Sequence, residues 1–259
     1  MAISSKRLIY VPGTYAKKRP DAAQLADQYI REWETKRLNM KLEKSAPEQI
    51  APAICFSRKI GAGALEIADL LGKKIGYAVI DRQLLDHVAD NKQLNQKTVA
   101  FFDERYAGKI PELACLLFGE KAFVMSDYMR SVVSAALTFA DMGGTIFVGR
   151  GIHLILPRDR VLAVRIICSD EYRIKRLAEI LSLPESETQK QLSQIDREQR
   201  NFFKKAYGKK DASPYEFDLV INTDFITYPL GAAEIVAQAF SQKFAPQLNE
   251  RRPPQRKAV

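Results

Sequence analysis

Histidine, cysteine and tryptophan are scarce in this chain, with 2, 3 and 1 copies among 259 residues. His87 and His153 cannot by themselves build an imidazole zinc site, and they leave almost no material for a Ser-His-Asp arrangement. The cysteines show no CxxC spacing; Cys55 and Cys168 lie inside apolar runs, where they read as reduced core residues rather than a disulfide frame. Long apolar runs are missing too. No window approaches the about 18 uninterrupted apolar residues of a membrane span, and the opening MAISSKRLIYVPGTY lacks the apolar core of a signal peptide. The chain therefore reads as cytoplasmic with no membrane partner, and its chemistry must rest on Arg, Lys, Asp and backbone amides.

At 46% hydrophobic and 27% charged, the composition is that of a globular protein. The length fits one large α/β domain, or one and a half ordinary ones, with a core that needs no disulfides. Lysine and arginine number 40 against 31 acidic residues, a formal +9. Clustered cations bind phosphate, which invites a nucleic-acid reading. Position argues against it. The final ten residues, ERRPPQRKAV, hold four basic side chains and one acidic, hence +3 of the +9, within a basic tail over 246–259 that reads as disordered. Much of the remaining excess lies between Arg173 and Lys210.

Punctuation and periodicity divide the chain. The segment 1–52 begins with an apolar stretch at 8–11, stopped by Pro12-Gly13, and continues from Pro20-Asp21 into a helix on which Leu25, Tyr29 and Trp33 recur every four residues. That stripe either packs on the main domain or docks a partner or a second copy. Lys44-Ser45-Ala46-Pro47 then serves as a linker. From residue 53 onward strands at 53–56, 77–80, 145–148, 161–168 and 219–221 alternate with helices, the last from 230 to about 240. Continuous apolar strands separated by helices predict an α/β domain over 53–245, with a parallel sheet covered on both faces.

Ligands in such a sheet bind at the carboxyl ends of the strands. A strand, the loop Gly61-Ala62-Gly63 and a helix bring backbone N–H groups and a helix dipole to one point, which suits an anion but also describes a tight strand-to-helix connection. The full signature GxxxxGK[ST] is absent. With Gly63 as its last glycine, Ala64 stands where the lysine would be and Leu65 where the hydroxyl would be. Arg58 and Lys59 are the cations of the loop, and adjacent side chains on an extended backbone begin on opposite sides, so only one is expected to face a nucleotide. Arg150, between two glycines after a buried strand, calls for an anion partner.

The run Cys55-Phe56-Ser57-Arg58-Lys59-Ile60-Gly61-Ala62-Gly63, then Glu66-Ile67-Ala68 and Ile80-Asp81-Arg82, resembles the opening of the cytidylate-kinase-like family of P-loop proteins. Phe102-Asp103-Glu104, Val148-Gly149-Arg150-Gly151, Arg173-Ile174-Lys175-Arg176, Ile195-Asp196, Tyr207-Gly208 and the stretch 218–223 continue it in order, over roughly 53–242. The resemblance implies a three-layer P-loop kinase fold: a parallel five-stranded sheet with helices on both faces and a helical, arginine-bearing lid at about 173–210. It implies ATP and Mg²⁺ as cofactors and transfer of the γ-phosphoryl to a nucleoside monophosphate, CMP or a related pyrimidine monophosphate. Such transfer is catalysed by alignment and charge neutralisation, tasks that suit arginines.

Carried over residue by residue, Ser57, Arg58, Lys59, Gly61, Ala62 and Gly63 would hold the ATP phosphates. Asp81, Arg82, Arg130 and Arg150 would hold the acceptor, with Asp81 also near the metal unless it merely caps a helix. Arg58, Arg150, Arg173, Arg176 and Arg200 would serve catalysis, the lid pairs sharing helix faces at a spacing of three. Cytidylate kinases continue the Gly-Arg motif with an aspartate where this chain has Gly151, which weakens any expected base preference. Loss of the lysine and hydroxyl keeps a second expectation open, a degenerate P-loop protein that binds nucleotide or a partner without turnover.

Overall fold

A computed structural model describes residues 21–42, 51–105 and 126–250. The apolar stretch 8–11, the linker at 44–47, Cys115 and residues 251–259 of the basic tail lie outside the described residues. The strands are β1 (Ala53–Arg58), β2 (Ala78–Asp81), β3 (Thr145–Val148), β4 (Val161–Ile167) and β5 (Leu219–Asn222), all parallel, in the order β2-β3-β1-β4-β5. β1 thus lies at the centre, and the chain leaves it for β2 on one side and reaches β4 on the other. That reversal of strand order creates a crevice at its carboxyl end.

Every residue of β1 is buried, as a strand covered on both faces requires. Ala53 and Cys55 feed the apolar cluster on one face, Ile54 and Phe56 the cluster on the other. Helix α1 (Ala22–Leu42), α3 (Arg82–Asp90), α4 (Lys92–Arg105) and α5 (Asp127–Met142) cover the first face. Helix α2 (Ala64–Ile75) covers the second together with the last helix of the described residues, 229–250. Between them in sequence come α6 (Asp170–Leu181) and α7 (Glu185–Tyr207), which pack on each other, and the last helix is therefore α8 (Pro229–Glu250). This is the three-layer architecture that the alternating pattern predicts.

Two elements run longer than the apolar pattern suggests. β1 extends through Ser57 and Arg58, because both continue its register against Arg165 and Ile166 of β4. α8 continues past residue 240 to Glu250, where buried Phe244 and the Lys243 Nζ bond to the Val161 carbonyl (2.8 Å) hold it on the sheet. Burial pushes the Cys55 thiol well above the usual thiol range, as fits an unreactive core cysteine. No helix among the described residues is long and apolar enough to cross a membrane.

The stripe on α1 is used within this chain. Of the expected stripe, Trp33 is buried in the same cluster as β1 and α5 and meets the Phe101 ring edge-on at 5.0 Å, while Leu25 and Tyr29 are half-buried against it and the full burial falls on Ala26 and Ile30 beside them. Trp33→Ala should therefore lower the unfolding free energy by about 3–5 kcal/mol, measured by urea denaturation. A loss below about 1 kcal/mol, typical of a surface position, would make α1 an appendage instead.

Candidate active site

Between β1 and α2 the chain turns through 59–63, with Gly61 at φ 91° and Gly63 at φ 78°. Gly63 is the N-cap of α2 and contributes no side-chain acceptor, so the first-turn amides of that helix keep their affinity for anions. Gly61 is required for a second reason. A Cβ there would lie 3.0 Å from Leu177 Cδ1 and 3.3 Å from Arg173 Cβ, so α6 rests directly on the loop.

Arg173 makes that contact firm. Its side chain is 1% exposed, and its guanidinium donates four hydrogen bonds: Nε to the Ile60 carbonyl (2.7 Å), Nη1 to Asp170 (2.7 Å) and Asp196 (3.0 Å), and Nη2 to Asp196 (2.6 Å). Burial alone would depress its pKa, but the bonds to Asp196 and Asp170 outweigh it and hold the charge. The expected lid arginine thus occupies a different post. It joins the β1–α2 loop to α6 and α7, and its donors are directed at protein oxygens.

The neighbouring lid arginine does reach the loop. Arg176 places Nε, Cζ and Nη2 at 3.7, 3.8 and 3.9 Å from where a Cβ on Gly63 would lie. Its Nη2 also meets Glu66 Oε2 in the first turn of α2 (3.3 Å). Lys59 is half exposed and faces Asp170 at 3.7 Å. Ser57, expected at the phosphates, accepts a hydrogen bond from Arg165 Nη1 (2.7 Å), because both side chains leave paired strands on the same face.

A second group of cations gathers at the ends of β1 and β3. Arg150 takes a left-handed backbone conformation (φ 54°) and forms a two-pronged pair with Asp86 of α3: Nε to Oδ1 at 2.8 Å, and Nη2 to Oδ2. Its guanidinium lies 4.6 Å from the Phe202 ring centre and 5.5 Å from that of Tyr128. The anion partner that its position calls for is therefore Asp86, a residue with no place in the expected site. Arg82 reaches the same carboxylate (3.4 Å). Arg58 lies beside Gly149, its three terminal guanidinium atoms each 3.6 Å from where a Cβ would be. Arg58, Arg82 and Arg150 line one cleft, roofed by Gln199 and Phe202 of α7.

Tyr207 explains Gly151. A Cβ at that position would lie 2.7 Å from the Tyr207 ring, and the phenol donates to the Arg150 carbonyl. The space that an aspartate would use after the Gly-Arg pair is filled by an aromatic side chain from the lid. Arg130 is paired with Asp103 through two 2.9 Å contacts and does not line the cleft, while Arg200 is exposed on α7 with no ion pair among the described residues.

Asp81 caps α3, its Oδ1 accepting from Leu84 N at 2.9 Å. Beside it stands Asp69 of α2, whose pKa is raised to about 7 by burial and then by the Asp81 charge. A carboxylate whose charge is disfavoured by the one beside it suits a divalent cation that takes its other ligands from phosphate oxygens and water, as Mg²⁺ does. Among the described residues no group of three potential ligands forms an all-protein metal site.

The model of the cytidylate kinase-like family matches residues 53–225. No protein of curated function matches the chain. An uncharacterized protein from Eubacterium ventriosum ATCC 27560 superposes with a TM-score of 0.56 at 16% identity, over 74% of this chain and 98% of that one, and so shares the fold. A shikimate kinase from Bacteroides thetaiotaomicron (TM-score 0.38, 15% identity) and TT1252 from Thermus thermophilus (0.37, 17%) also match, each over 74% of this chain and 98% of theirs.

Two outcomes follow from these contacts. Arg173→Leu strands Asp170 and Asp196 beside the loop, whereas Asp196→Asn keeps the shape; the former should destabilise the fold by about 3–5 kcal/mol in denaturant titration. An effect below about 1 kcal/mol would mean the network adds nothing. The second concerns His153, whose imidazole is 2% exposed, 3.6 Å from Glu216 Oε2, and lowered by burial to about 4. The folded state keeps this ring neutral, so its contribution is fully present above about pH 6.5 and is lost as pH falls toward 4. His153→Gln should lose up to roughly 3 kcal/mol less stability than wild type over that interval; equal losses would contradict it.

Proposed function

The chain belongs to the cytidylate kinase-like family, and on that premise we propose that it is an ATP- and Mg²⁺-dependent nucleoside monophosphate kinase acting on CMP or a related pyrimidine monophosphate. The observation that carries this reading is Arg176 beside Gly63. Ala64 and Leu65 are buried and offer nothing to a phosphate, so the lysine and hydroxyl of the signature are missing at the start of α2. A guanidinium supplied by α6 at the same glycine restores a charge there, with Glu66 to orient it. Arginine donates in a planar fork that suits phosphate oxygens.

The division of labour follows from position. The amides of the Gly61 to Gly63 turn and the start of α2 hold the donor phosphates, and Arg176 neutralises charge that grows on the transferring group. Arg150, oriented by Asp86 and packed on Phe202, faces the acceptor. Asp69 and Asp81 would hold Mg²⁺, which supplies bridging and charge neutralisation for the phosphates. The lid, fixed by Arg173, excludes water that would otherwise compete as acceptor. Tyr207 in place of a hydrogen-bonding aspartate leaves discrimination between bases to shape, worth about 1–3 kcal/mol.

The buried Ala64 and Leu65 also favour a second reading, nucleotide binding without turnover. Turnover assays with a panel of monophosphates separate the two. Arg176→Ala should lower kcat by about 10³-fold or more, the scale of a transition-state arginine, while the melting shift caused by MgATP persists. Measurable wild-type turnover that survives this substitution unchanged would remove Arg176 from the chemistry. MgATP binding with no turnover on any monophosphate would install the second reading.

A further inference from the structure

The cleft of Arg58, Arg82 and Arg150 encloses about 60 Å³. At about 12 Å³ for each water-sized position, that is room for four or five waters, or for one phosphate group, with the rest of a ligand outside. Three guanidinium groups line it, and among the described residues the carboxylates beside them include Asp86, which pairs with Arg82 and Arg150, and Glu198, which is exposed on α7 and accepts from Gln194. Arg58, expected at the donor phosphates, lies instead beside Gly149 on this side, while Arg176 stands at Gly63.

The roof carries an independent sign of a ligand. Gln199 donates from Nε2 to the Arg58 carbonyl at 2.9 Å, which fixes the amide so that Oε1 turns away from that loop. Oε1 is buried and has no hydrogen-bond partner among the described residues. A buried carbonyl oxygen left unpaired is destabilising and is rare in folded proteins unless a ligand or water completes it. The hydrogens of the guanidinium groups suit an oxyanion, and the lone oxygen suits an O–H or N–H next to it.

We infer that Arg58 and Gln199 belong, with Arg82 and Arg150, to the site for the acceptor: a phosphomonoester whose phosphate meets the guanidinium groups and whose neighbouring O–H or N–H donates to Gln199 Oε1. This rests on the kinase reading but goes beyond it, since it moves Arg58 from donor to acceptor and gives the lid helix α7 a contact with substrate. Nucleoside monophosphates and sugar phosphates share this chemistry.

Isothermal titration of the full chain with CMP, ribose 5-phosphate, inorganic phosphate and MgADP tests it without requiring turnover. Arg58→Gln should weaken CMP binding about tenfold or more and leave MgADP binding unchanged. Gln199→Met, which keeps the length of the side chain, should weaken CMP about fivefold and again spare MgADP. Both variants are checked for a native melting transition, and Arg58→Lys, which keeps the charge, should recover part of the affinity. Loss of MgADP binding with CMP untouched would return Arg58 to the donor side and overturn the inference. So would unchanged CMP binding in both variants, or binding of inorganic phosphate alone with CMP and ribose 5-phosphate excluded. If CMP binds as expected in wild type and fails in Arg58→Gln, but no phosphoryl group moves, the acceptor site stands and the kinase reading falls.

Discussion

The buried guanidinium of Arg173 fixes the geometry of everything around it. It reaches from α6 to the Ile60 carbonyl of the β1–α2 loop and to Asp196 of α7, so three separate stretches of chain meet at one charge. A buried pair of this kind gives little net stability compared with an apolar replacement, yet removing one partner is severe. Its worth is positional. With Arg173 in place, Leu177 lies against Gly61 and Arg176 falls beside Gly63, one turn along the same helix. The lid contributes its cation because a neighbouring arginine is committed to structure.

The same principle divides the remaining arginines. Arg150 is oriented by Asp86 and by two aromatic rings, and Tyr207 fastens its backbone to the end of α7. Gln199 fastens the Arg58 carbonyl to the middle of that helix. α7 therefore touches the loops that follow both β1 and β3, and on the proposed kinase reading the charge missing at Ala64 is supplied from outside the loop. On that reading the site would depend on α6 and α7 for its composition as well as for exclusion of water.

The layers of the fold were readable because both faces of a parallel sheet are covered, which turns strands such as Val161–Ile167 into apolar runs interrupted only by Arg165. Which arginine does what was not. Arg173 and Arg176 share a helix face at a spacing of three, and only Asp196, 23 positions onward, decides that the first is buried. Ser57 looks like a loop hydroxyl until Arg165, 108 positions away, pairs with it across the sheet. Asp86 carries no motif and is found only where α3 meets the end of β3. Gln199 left a faint signal: Ile195, Glu198, Gln199, Phe202 and Phe203 recur at helical spacing, and together they line the cleft. Tyr207 belongs to the Tyr-Gly pair of the family pattern, and its role becomes plain only when its ring occupies the space beside Gly151.

Whether Arg176 restores phosphoryl transfer where Ala64 and Leu65 replace the signature's lysine and hydroxyl is tested most directly by following the γ-phosphoryl itself. Wild-type protein is incubated with Mg²⁺, γ-labelled ATP and unlabelled CMP, and the products are separated by chromatography. The account predicts label in the diphosphate of the acceptor, with little in free phosphate because the closed site excludes water. Label that stays in ATP, or passes only to inorganic phosphate, while MgATP still raises the melting temperature, would contradict it.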